Sequence, residues 1–157
     1  MKAKDIYNDR ELIIMKKSFE INYNKAFDRI DEIIAFAKNN NITKLGIAKC
    51  SELTKEAVKL ENILIKEGFN VFMVDCNYGK ENIEDLKMDY QYITCNPAGQ
   101  AKFLEDKGTE LNIVVGLCVG HDMIFNMKSK APVTTLFVKD RKFKHNTLKR
   151  FDNYNQQ

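Results

Sequence analysis

Short apolar runs alternate along this chain with stretches whose apolar residues recur every three or four positions. Leu45-Gly-Ile-Ala48, Val71-Phe-Met-Val74, Ile113-Val-Val-Gly-Leu117 and Val133-Thr-Thr-Leu-Phe-Val138 predict four strands. Such brief runs, rich in β-branched residues and bounded by turn formers, suit strands buried on both faces. Tyr92-Ile-Thr94 is a candidate for a fifth, shorter one.

Between these runs the period changes to that of a helix. Tyr7–Lys17 and Asn22–Asn39 read as helices, the second with Ala26, Phe27, Ile30, Ile33, Ile34 and Ala37 on one face. Asn39, Asn40 and Asn41 end it, since Asn is a poor helix former that tolerates left-handed backbone. After Cys50, either Ser51 or Thr54 is placed to cap a helix carrying Ala57, Leu60, Ile63, Leu64 and Ile65, which Gly68 stops. Asn96 and Pro97 open the next helix as cap and first helical residue, and Gly108 ends it. His121–Lys128 gives a short last helix, with one more turn expected around Asn146–Phe151. Asn77–Asp89 is polar and reads as a loop.

The alternation implies a single α/β domain, a Rossmann- or flavodoxin-like parallel sheet of four or five strands with helices on both faces. Residues 1–40 are expected to pack on the sheet, 41–140 to form the core and 141–157 to be a basic tail. The strand around Gly46 should be central, and a reversal of strand order beside it should open a crevice flanked by Cys50 and Cys118.

A length of 157 residues suits one such domain, and a net charge of +3 argues against a nucleic-acid partner. No apolar run approaches the ~20 residues of a membrane span, and no signal-peptide core follows the start. A cytoplasmic location is therefore expected, where thiols stay reduced and the four cysteines read as ligands, catalysts or buried hydrophobes rather than disulfides.

Those four, Cys50, Cys76, Cys95 and Cys118, each follow an apolar run. In a parallel sheet they converge on one edge, where ligand sites lie. Four thiolates would suit a transition metal, as zinc or an iron–sulfur cluster, with Cys50, Cys95 and Cys118 as ligands and Cys76 or His121 completing the set. The plain alternative is a buried small hydrophobe, most of all for Cys76.

Cys118 carries a second reading, as the nucleophile of a thiol-dependent enzyme. Gly116 and Gly120 flank it at a helix entry, where unpaired N–H groups lower a thiol pKa and bind anions, and His121 is a candidate partner. Cys118 is then expected to be the most acidic of the four thiols. No arginine stands where a cysteine phosphatase loop needs one, and no Cys-x-x-Cys occurs. Asn96 and Gln100, beside Cys95, could meet a ligand, although Gln100 could equally face solvent. A third reading is a non-catalytic small-ligand module; the expected partner is a small molecule or a redox protein. The basic run Lys139-Asp-Arg-Lys-Phe-Lys-His145 reads as solvated surface. No Walker motif, G-x-G-x-x-G or His-Glu-x-x-His is present.

Five strings go beyond periodicity: Gly46-Ile-Ala-x-Cys50, Cys95-Asn-Pro-x-x-Gln-Ala101, Asn112-Ile-Val-Val-Gly-Leu-Cys-Val-Gly-His-Asp122, Lys130-Ala-Pro-Val-Thr134 and Lys139-Asp-Arg141. Together they resemble an uncharacterised prokaryotic family, labelled domain of unknown function and predicted metal-binding, found largely in anaerobic bacteria and archaea. The resemblance runs from about Ile33 to His145. It implies metal without naming the metal or a reaction. Typical members carry a further cysteine cluster near the N-terminus. This chain has no cysteine before Cys50, so only a site built on the strand-edge cysteines would survive here.

Overall fold

The computed structural model describes residues 5–22, 26–79, 95–152 and 154. The chain forms two compact units, Met1–Thr43 and Lys44–Gln157. The first holds two helices in mutual contact, α1 (Asp9–Asn22) and α2 (Arg29–Asn39). Both start at capping boxes, in which a side chain takes an orphaned backbone N–H and another returns the bond. Asn8 Oδ1 accepts from the Glu11 amide at 3.0 Å, and Glu11 takes the Asn8 amide at 2.8 Å. Asp28 accepts from Ile30 and Asp31, and Asp31 accepts from the Asp28 amide. That box starts α2 seven residues later than its apolar pattern suggested. Asn41 ends it in left-handed backbone, φ 54°, as expected of the Asn run.

The second unit is the α/β fold. Strands β1 (Lys44–Lys49), β2 (Asn70–Asp75), β3 (Leu111–Val115) and β4 (Val133–Phe137) form one all-parallel sheet in the order β2-β1-β3-β4. Helices α3 (Thr54–Lys66), α4 (Pro97–Asp106) and α5 (Val119–Lys128) connect them. β1 is central, hydrogen-bonded on both sides, as anticipated. The chain leaves β1 toward β2 and returns to its other side for β3, so the strand order reverses between β1 and β3. Right-handed crossovers then put α3 on one face and α4 and α5 on the other, and α4 touches α5. The Tyr92–Thr94 strand candidate and residues 80–89 of the expected loop lie outside the described residues. No helix among the described residues is long and apolar enough to cross a membrane.

The core follows the apolar pattern. Leu45, Ile47 and Ala48 of β1, Ile113, Val114 and Val115 of β3, and Ala57, Leu60 and Leu64 of α3 are buried, whereas Ile63 and Ile65 remain exposed. α3 gains no side-chain cap. Cys50 leads first into a 3₁₀ turn, Ser51–Leu53, and the Thr54 hydroxyl donates to Ser51 O instead, at 2.8 Å. The Asn96–Pro97 start of α4 is as expected, with Asn96 Oδ1 accepting from Gly99 N at 2.7 Å.

Asn112 of β3 is a polar residue built into the core, 1% exposed. Its Oδ1 accepts from the Thr109 hydroxyl and its Nδ2 donates to the Ser129 hydroxyl, each at 2.8 Å; Ser129 in turn donates to Ala131 O. Gly46, alongside on β1, has no side chain because a Cβ there would collide with Asn112 Oδ1. Replacing Asn112 with Leu removes two hydrogen bonds, while the Thr109 hydroxyl keeps Leu104 O and the Ser129 hydroxyl keeps Ala131 O. The expected cost is about 1–3 kcal/mol, read as a lower urea midpoint with an unchanged slope.

Candidate functional site

Parallel strands deliver their ends to one side, and here they deliver thiols and charges. Cys50 and Cys76 directly follow β1 and β2. Cys118 caps α5 just past β3, and Lys139 stands two residues past β4. The register pairs Lys49 with Asp75, and the ladder goes one step further through Cys76 N to Lys49 O at 2.9 Å. Side chains alternate along a strand. Lys49 and Asp75 therefore share the α3 face, where Lys49 pairs with Asp75 and also donates to Thr54. Cys50 and Cys76 share the other. That Lys49 contact, opposed by partial burial, holds the Asp75 carboxyl below the usual range.

The central contact of the site is between Lys139 and Cys50. Lys139 Nζ donates to Cys50 Sγ at 2.8 Å and pairs with Glu52 at 2.8 Å, and its side chain is only 3% exposed. Burial alone would raise the Cys50 thiol. The hydrogen bond from Lys139, a backbone hydrogen bond at Glu52, the lysine charge and the neighbouring Cys76 thiol outweigh it, and the pKa falls below the ordinary thiol value. Lys139, reciprocally, is raised despite its burial. Glu52, held by Lys139 and Arg141, drops to about 2.

Arg141 extends this set. It bonds Glu52 at 2.9 Å, and Cys118 is a further neighbour of its guanidinium. An unbroken series of contacts thus runs from Cys118 through Arg141, Glu52 and Lys139 to Cys50, then to Cys76 and Cys95. Cys76 is the opposite of Cys50. Burial pushes its thiol up to about 12, against hydrogen bonds with Ser51 and with help from Cys95. Ser51 N donates to Cys76 Sγ at 3.4 Å.

The other residues singled out in the sequence fall into place around this edge. Gln100 does not face solvent. It is fully buried and its amide donates to Lys49 O and Val74 O, each at 3.1 Å, clamping the ends of β1 and β2. Its Oε1 has no hydrogen-bond partner. Asn96 has both ends of its amide engaged, by Gly99 N and by Gly79 O at 2.7 Å, tying the turn after β2 to the start of α4. Gly116 adopts φ 67° and leaves room for Leu53, while Gly120 faces open space. His121 lies in the first turn of α5, and among the described residues no hydrogen bond joins it to Cys118. The ammonium-to-sulfur contact is thus at Cys50, whereas the sequence singles out Cys118. Lys139 and Arg141 belong to the run read as solvated surface, and Lys139 is not solvated. Their one signal in the sequence was the Lys139-Asp-Arg141 string.

The donor set as it stands does not fit a metal ion. Among the described residues no three His, Cys, Asp or Glu side chains form a group that could hold one. The Cys50 sulfur faces an ammonium, not a ring of further donors.

"Uncharacterized protein MJ0455" of Methanocaldococcus jannaschii is 44% identical over 132 residues, covering 82% of this chain and 68% of that protein. No solved structure matches significantly. Residues 2–136 match the family model described as "Protein of unknown function (DUF1847)", and the chain belongs to that family.

Proposed function

We propose that the protein is a thiol-dependent one, with Cys50 as its working thiolate and Lys139 as the positioning residue that keeps the sulfur charged. The 2.8 Å contact between the Lys139 ammonium and the Cys50 sulfur carries this reading. A thiolate, not a thiol, attacks electrophiles. Lysine desolvated beside it supplies a counter-charge that water would otherwise screen. Arg141, more exposed at 66%, and Glu52 form the polar rim through which an electrophile would approach. Among the described residues no three donors form a group that could hold a metal, and this reading needs none.

The test is alkylation of the anaerobically purified full chain with iodoacetamide, with peptide mapping by mass spectrometry and metal analysis of the same sample. Cys50 is expected to react at neutral pH with an apparent pKa below 9.0, and Cys76 to stay protected. A stoichiometric transition metal that shields the cysteines until it is stripped would overturn the reading in favour of a thiolate metal centre. So would a Cys50 that reacts no faster than Cys76.

A further inference from the structure

The register places a second thiol beside the first. Lys49 and Asp75 are partners, Cys76 N donates to Lys49 O, and Ser51 N donates to Cys76 Sγ at 3.4 Å, so the cysteines that follow the two partnered residues are neighbours and the Cys76 thiol is among the hydrogen-bonding groups at the Cys50 sulfur. Neighbouring strands lie about 4.8 Å apart, inside the ~4.4–6.8 Å Cα range that disulfides span. Gln100 fixes this spacing by holding the carbonyls of Lys49 and Val74. The two cysteines are 26 positions apart in sequence, so no Cys-x-x-Cys motif announces them.

We propose that Cys50 and Cys76 form a reactive dithiol that reduces disulfide substrates, with Cys50 attacking and Cys76 resolving. The proposal rests on the reading of Cys50 as the working thiolate. The Cys50 thiolate attacks one sulfur of a disulfide RSSR′. The S–S bond breaks, a Cys50–SR mixed disulfide forms and R′S⁻ leaves. Cys76 passes its proton to that leaving thiolate, and its sulfur attacks Cys50 Sγ. The mixed-disulfide bond breaks, RS⁻ leaves and takes a proton from solvent, and a Cys50–Cys76 disulfide remains. Two electrons have moved from the two protein thiols to the substrate, which leaves as two thiols. A low-molecular-weight thiol or a dithiol protein, by the same exchange in reverse, restores the reduced pair.

The division of labour suits the environments. Cys50 is held charged by Lys139, whereas Cys76 is buried, kept protonated and bonded to Ser51. An attacking thiol needs thiolate character near neutral pH. The resolving thiol needs only to be adjacent, because its reaction is intramolecular.

The experiment treats the reduced full chain with 4,4′-dithiodipyridine under argon and follows pyridinethione release, with peptide mapping of the product. A rapid release of about two equivalents is expected, with Cys50 linked to Cys76 and no pyridyl group retained on either. Cys76→Ser should release about one rapid equivalent and trap the pyridyl group on Cys50, while Cys50→Ser should lose the rapid phase. Circular dichroism of both variants checks that the fold is kept, and Cys76→Ala is the alternative should serine disturb packing. A stable mixed disulfide on Cys50 of the unaltered chain, or a Cys76–Cys95 link in place of Cys50–Cys76, would overturn the dithiol while leaving Cys50 as the working thiolate. Absence of any rapid reaction at Cys50 would overturn that underlying reading as well.

Discussion

Gly116→Ala is expected to cost about 2–5 kcal/mol of stability, the sum of a left-handed backbone penalty and overpacking. Two independent features of the turn after β3 require glycine. The backbone has φ 67°, where a Cβ crowds the following carbonyl. A Cβ would also run into Leu53 Cδ1, with the Phe137 ring 3.6 Å away on another side. Leu53 is buried at the 3₁₀ turn that follows Cys50, so it cannot retreat without moving that turn. A loss of this size is a large fraction of the ~5–15 kcal/mol that typically holds a domain together. Urea unfolding monitored by circular dichroism gives the number. Gly120→Ala is the control: it lies in α5 with nothing within 4 Å of an added Cβ, and should be neutral or stabilising by up to ~1 kcal/mol. Equal effects at the two positions would mean that the turn yields more easily than its packing indicates.

Lys139→Met is expected to slow alkylation of Cys50 at pH 7 by at least about tenfold. The sign follows from the balance at the sulfur. Burial pushes the thiol up, and Lys139 contributes the leading hydrogen bond and the charge that bring it down. Removing the lysine takes away its hydrogen bond and its charge while burial remains, so the pKa moves upward. Each unit of that movement removes nine-tenths of the remaining thiolate at a pH below both values. Methionine keeps most of the side-chain volume, so the readout is electrostatic rather than a cavity effect. The pH profile separates the two: the variant should regain the parent rate at high alkaline pH, where either thiol is ionised. Loss of rate at every pH would instead mean that the site had been disrupted.

The architecture was legible in the sequence because each part of it has a local signature. Brief β-branched runs separated by helical periods specify parallel strands, and the early crossover makes the strand around Gly46 central. Boundaries were less legible where a cap overrode periodicity, as Asp28 does for α2. Cys50 and Cys76 were legible because each directly follows a strand, and Cys118 because it lies just past β3. The ammonium beside Cys50 was not, because Lys139 reaches it across 89 positions of sequence and across the end of an intervening strand. No periodicity carries that information; it exists only once strand order and register are set. The solvent-facing alternative for Gln100 fails for a related reason. A polar residue in the first turn of a helix is ordinarily wet, and this one is dry because two strand carbonyls need its amide.

The position of β4 in the chain sets an order of events during synthesis. Cys50 and Cys76 emerge from the ribosome long before Lys139, and β1 and β2 have a helix and a partner strand available to them from the start. Until Val133–Phe137 docks against β3, no ammonium stands beside Cys50, and its sulfur is an ordinary protonated thiol at neutral pH. The nascent chain therefore carries Cys50 without its ammonium until that docking. If Cys50 is the working thiolate proposed above, its reactivity arrives with β4 and reports that Val133–Phe137 has docked.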